Sequence, residues 1–162
     1  MEPLTWFVTG REKHGDDYQP GMLGNARSFV DAMRYHMVSF LAPSLQVAMN
    51  ELSNHDHSRF LTRTNHHVGR VSHLGSDAAS RDIHPEVMRE AVVMQLTWPG
   101  APTLYYGDAA GVCGSPDSDH RRTYPWGRED QQMLAFHQAA TAMHQQSSVS
   151  TTGSLHYPSE DY

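Results

Sequence analysis

Cysteine is nearly absent: Cys113 alone in 162 residues excludes an internal disulfide, so the chain is no secreted, disulfide-stapled scaffold. Positive charge is also scarce. Twelve Lys and Arg stand against 18 Asp and Glu, a formal net charge of -6 at pH 7, and no basic run is present, which excludes nucleic-acid binding driven by counterion release. Long apolar runs are missing too. No stretch is long enough to span a bilayer, and MEPLTWFVTGREKHGDDYQPG lacks the basic start and apolar core of a signal peptide. The expectation is a soluble, cytoplasmic chain without a nucleic-acid or membrane partner. Its length suits one domain with a real core, and no repeat at solenoid spacing occurs.

What is there begins with helical periodicity. Residues 25–41, NARSFVDAMRYHMVSFL, space Phe29, Val30, Met33, Met37, Val38 and Leu41 as one helix face, with Asn25 as N-cap and Pro43 beyond the end. Residues 45–52 read as a buried strand between a Pro-Ser turn signal and a polar run. From Thr62 to Arg81 the polar, Gly-, Ser- and His-containing sequence predicts an excursion over the surface. Residues 85–97 start on Pro85 and align Met88, Ala91, Val92, Gln95 and Leu96 as a helix, stopped by Gly100 and Pro102. Residues 102–107, PTLYYG, form a β-prone run before a Gly-, Pro- and Asp-rich loop. A last helix, capped by Asp130, turns Met133, Phe136, His137, Ala140 and Met143 inward. Two strands joined through a helix are most naturally parallel with a right-handed crossover. Two strands do not make a sheet, and their edges ask for neighbours.

Twelve histidines mostly scatter. The exception lies in NELSNHDHSRFL, residues 50–61, where Asn54, His55, Asp56 and His57 follow the strand-like run. A strand-end His and Asp can simply satisfy loop amides; they can also contact a ligand.

Three stretches bear on those readings: NHD after one strand, APTLYYGD on the next, and DSDHRRTYPW in the loop beyond. Together they resemble the α-amylase family of glycoside hydrolases, in its neopullulanase and cyclomaltodextrinase branch, over nearly the whole chain. The resemblance implies an α/β fold, a partial TIM (β/α)₈ barrel. Residues 45–52 would be its seventh strand and 102–107 its eighth. Residues 1–146 would be the C-terminal portion of the catalytic barrel, and 147–162 a tail or the start of a C-terminal β domain. Asp56 then matches the catalytic carboxylate that stabilises the transition state, and His55 the histidine that hydrogen-bonds the same sugar. A retaining glycosidase passes through an oxocarbenium-like state, which a fixed negative group favours as it develops. Asp117 and Arg121 match the substrate-binding Asp-Pro-x-x-Arg loop, with Ser118 in place of proline; a solvated ion pair is the plainer reading. Tyr105, Tyr106 and Gly107 match the eighth-strand signature, with packing as their default role, and Ala109 stands where the family carries an acidic residue. Trp98 and Trp126 could stack on sugars or pack. Arg59, Phe60 and Leu61 read as loop anchors.

The family's nucleophilic Asp and acid/base Glu have no motif in this chain, and a retaining mechanism needs two carboxyl groups about 5 to 5.5 Å apart. The resemblance therefore implies a fragment of an enzyme of carbohydrate metabolism, inactive alone, whose complete form acts on an α-glucan or maltooligosaccharide. It implies no cofactor and no metal. Two alternatives remain open at this point. His55, Asp56, His57, His66, His67 and His73 could belong to a metal-dependent phosphohydrolase, although His66-His67 has no helical partner at i, i+4 spacing. A non-catalytic barrel fragment could instead associate with itself or another chain through open sheet edges.

Overall fold

Helix α6, Pro85–Thr97, is the central element, and its sequence explains its place. Met88, Ala91, Val92, Gln95 and Leu96, at the predicted spacing, are all buried. In the computed structural model, residues 1–13, 17–116, 118–153 and 155 are described. In chain order they form α1 (Glu2–Thr9), α2 (Ala26–Val38), α3 (Ala42–Gln46), β1 (Met49–Glu51), α4 (Phe60–Arg63) and α5 (Val71–Leu74). A 3₁₀ turn, Ser76–Ser80, leads to α6, which is followed by β2 (Ala101–Thr103) and two further 3₁₀ turns, Asp108–Ala110 and Asp119–Arg121. Helices α7 (Gln131–Gln146) and α8 (Ser148–Thr152) complete the described chain. No helix among the described residues is long and apolar enough to cross a membrane.

Strands β1 and β2 pair in parallel, Met49 with Ala101, Asn50 with Pro102 and Glu51 with Thr103, as two strands joined through α6 should. The buried Gln95 side chain locks that pairing to the helix, donating to the carbonyls of Asn50 at 2.8 Å and Thr103 at 2.9 Å. Asn50 reaches back from β1 to the carbonyls of Trp98 at 3.2 Å and Pro99 at 3.1 Å. The turn between helix and strand requires Gly100: its φ is +138°, and a Cβ there would stand 2.6 Å from both Ala48 O and Asn50 Nδ2.

The core gathers Leu4, Leu52, Phe60, Leu61, Ala79, Met88, Ala91, Val92, Leu96, Cys113 and Met133. Burying a side chain such as Phe60, Met88 or Met133 contributes about 1.5–3 kcal/mol each. The predicted caps are in place: Asn25 accepts from the Ser28 amide, and Asp130 from the amides of Gln132 and Met133.

Several boundaries differ from the sequence reading. The expected strand over 45–52 is only Met49–Glu51, because Pro43 starts α3 in its first turn and takes residues 42–46 into helix. The expected strand over 102–107 is Ala101–Thr103. Helix α2 ends at Val38, and of its apolar face only Met33 is buried. Val38 and Leu41 are 82% and 79% exposed, since no described segment covers that side. Met143 is likewise exposed on α7. Helix α1 has no counterpart in the sequence reading; Pro3 in its first turn and Gly10 at its left-handed C-cap are its local signals. The stretch from residue 62 is not all surface. Thr62, Arg63, Thr64 and Asn65 are buried, because α4 drives Phe60 and Leu61 into the core and Arg63 spends its guanidinium on the Leu52 carbonyl.

Candidate active-site mouth at the ends of the two strands

The chain leaving β1 turns sharply at Asn54. Its side-chain carbonyl accepts from the amides of Asp56 at 2.9 Å and His57 at 3.2 Å, an Asx turn that presents residues 55 and 56 outward. His55 and Asp56 are 72% and 61% exposed, and His55 Nε2 lies 3.5 Å from Asp56 Oδ2. The carboxylate is thus turned away from the packed interior.

Immediately after this turn the chain dives. Arg59 is fully buried, and its guanidinium lies 4.1 Å from the ring centre of Tyr105 and 4.5 Å from that of Tyr106. It donates to Asp108 Oδ1 at 3.0 Å, to the Tyr106 carbonyl, and through Nε to the His120 carbonyl at 2.8 Å. Burial pushes the Asp108 carboxyl above the usual carboxylate range, and the Arg59 charge beside it opposes that shift. Tyr105 and Tyr106 therefore wrap a buried cation, a packing role with a specific purpose.

The loop beyond β2 returns to the first loop. A Cβ on Gly114 would stand 2.4 Å from His120 Cα, so the 3₁₀ turn Asp119–Arg121 rests directly on a glycine backbone. Asp119 fixes that turn by accepting from the Ser115 amide at 2.8 Å and from Arg122 Nη2 at 2.8 Å. The turn aims two side chains at one oxygen. His120 Nε2 lies 2.6 Å from the His55 carbonyl, and Arg121 donates to the same carbonyl from Nε at 3.0 Å and Nη2 at 2.8 Å.

Both loops at the C-terminal ends of the parallel strands thus converge on the peptide between His55 and Asp56. The structure brings His55, Asp56 and Arg121 together; Asp117 lies outside the described residues. Sequence reasoning missed His120 and Asp108. Nothing set His120 apart from the other histidines, whereas Asp108, directly after the Tyr106-Gly107 step, had a signal in its place within the APTLYYGD stretch. Trp98 is buried and packs; Trp126 is exposed, its ring 4.5 Å from that of Tyr124.

Among the described residues, no three His, Cys, Asp or Glu side chains gather where they could hold a metal ion. The phosphohydrolase alternative therefore has no cage to rest on among them.

No family model matches the sequence. Individual relatives do. The chain is 34% identical over 113 residues to the amylopullulanase of Thermoanaerobacter thermohydrosulfuricus, covering 70% of this chain and 8% of that protein. It is 34% identical over 87 residues to neopullulanase 2 of Thermoactinomyces vulgaris, covering 54% of this chain and 12% of that protein. The debranching enzyme of Nostoc punctiforme superposes on 94% of this chain and 29% of its own, with a TM-score of 0.74 at 23% identity, which shows a shared fold. The chain thus spans a small part of the length of the relatives it matches. At 34% identity over 70% of its length to that amylopullulanase, the chain belongs to the α-amylase family of glycoside hydrolases.

Proposed function

We propose that this chain supplies the seventh- and eighth-strand part of the active-site mouth of an α-glucan-acting, retaining glycoside hydrolase. Residues 1–146 would be the C-terminal portion of a (β/α)₈ catalytic barrel, and the residues after them a tail or the start of a further domain. The observation that carries the reading is the exposed His55-Asp56 pair beyond β1, tied to the loop that follows β2. Active sites of such barrels lie at the C-terminal ends of the strands. Asp56 would place negative charge where positive character builds on the glucosyl carbon, and His55 would orient the ring through its hydroxyls. Asp117 and Arg121 are the candidates for contact with sugar units farther along the chain of substrate, although Arg121 already donates through Nε and Nη2 to the His55 carbonyl.

Asp56 cannot serve as nucleophile and general acid together, so turnover requires two further carboxyl groups, and the chain by itself does not cleave. Self-association through the edges of the β1-β2 pair fits the same reading, because each strand has one described neighbour only.

The test is a titration of the isotopically labelled chain with maltotriose, alongside an assay for sugar release from maltooligosaccharide and pullulan. Amide shifts confined to residues 54–57 and the 118–122 turn, without release, are expected. Shifts confined to other surfaces, no shift, or release above contaminant level would overturn the reading.

A further inference from the structure

The back of the His55-Asp56 turn, unlike its exposed front, meets two side-chain donors. A carbonyl oxygen only accepts, so His120 Nε2, 2.6 Å from the His55 carbonyl, carries a proton. His120 is buried, and its Nδ1 has no partner, which fits a neutral ring with its lone pair on that atom. Arg121 Nε also lies 3.2 Å from His120 Nε2. That nitrogen, with its proton directed at His55, has no lone pair to offer, so the Arg121 hydrogens go to the carbonyl. The Arg121 fork and the His120 ring thus donate side by side to the one oxygen.

These donors are themselves held from below. Arg59 fixes the His120 carbonyl at 2.8 Å, and Asp108 fixes Arg59 at 3.0 Å. A continuous line of hydrogen bonds therefore runs from the buried ion pair, through His120, to the peptide that carries Asp56. The Asx turn at Asn54 restrains the same peptide through the Asp56 amide. Held at both its carbonyl and its amide, the peptide has little freedom to rotate.

We propose that His120 and Arg121 are positioning residues: they grip the His55 carbonyl so that the His55 and Asp56 side chains meet a glucosyl unit already oriented. The proposal rests on the glucan reading above. It differs from a direct sugar contact by Arg121 in one measurable respect. A contact at a distant subsite matters only for a substrate long enough to reach it, whereas orientation of Asp56 matters equally for short and long substrates.

The experiment titrates the labelled wild-type chain and its Arg121→Ala, Arg121→Lys and His120→Gln variants with maltotriose and with maltohexaose. His120→Gln keeps a donor at the buried position, and Arg121→Ala alters an exposed side chain, so both retain a folded chain to measure. The expected result is an affinity loss of about tenfold in Arg121→Ala, equal for the two sugars, as loss of a charge-assisted bond implies. Smaller losses in Arg121→Lys and His120→Gln should accompany it, with an upfield shift of the His55 carbonyl carbon in Arg121→Ala. Unchanged affinity in Arg121→Ala, or a loss for maltohexaose alone, overturns the positioning role and leaves the Asp56 reading standing. If the wild-type chain answers neither sugar, the glucan reading itself falls, and the positioning role with it.

Discussion

Arg59 and Asp108 meet at 3.0 Å with both side chains withdrawn from solvent, 49 residues apart in sequence. The pair joins the segment after β1 to the segment after β2, so it fixes the spacing of the two loops at the strand ends. Removing one partner of a buried pair strands the other charge, at a cost of about 3–5 kcal/mol. Arg59→Met and Asp108→Asn should each lower the urea midpoint accordingly, and the double variant should lose less than the two losses combined. Purely additive losses would show that the two side chains are not coupled.

Cys113 is buried, and burial pushes its thiol up to about 11. Nucleophilic thiolate is then negligible at neutral pH. Alkylation by iodoacetamide should be slow in the native chain and should accelerate by orders of magnitude in urea, in step with the loss of helical signal. Rapid alkylation of the folded chain would contradict the burial of Cys113 in the core.

His66 predicts the acid side of the stability profile. Burial holds its imidazole below the ordinary histidine range, against a hydrogen bond to the Thr9 backbone and with support from the neighbouring His84, Arg11 and His67. The folded state therefore favours the neutral ring. The stability this lends is whole above about pH 6.5 and is lost as pH falls through that value. His66→Asn suits the left-handed backbone there, φ 59°, and should flatten the decline of the urea midpoint between pH 7.5 and 5.5. An equally steep decline in the variant would assign the acid sensitivity to other groups.

Legibility in the sequence followed locality. Helix α6 and the caps at Asn25 and Asp130 depend on residues within a turn or two, and the structure shows them where the spacing put them. The parallel pairing of β1 and β2 also followed, because a helix of thirteen residues between short strands leaves few other connections. Strand ends did not follow, since Pro43 competes for the same residues by starting a helix. Burial of α2 failed for a different reason. Periodicity names the apolar face of a helix but not whether anything covers it, and Tyr35, Val38 and Leu41 face outward. The NHD stretch marked His55 and Asp56 as candidates, and the structure shows both exposed, whereas the grip of His120 on the His55 carbonyl spans 65 residues and leaves no local trace.

Asp56 carries the central claim, and its exposure makes the test clean. Substituting an exposed carboxylate away from the core should change the stability of the chain by no more than about 0.5 kcal/mol. Any loss of activity in Asp56→Asn then reports chemistry. The decisive measurement is kcat for a polypeptide that joins residues 1–146 to a segment bearing the nucleophilic and acid carboxyl groups, with and without Asp56→Asn. A fall in kcat on the order of 10² or more, with the fold intact, is the predicted result. A near-normal kcat would contradict the assignment of Asp56 to the transition state.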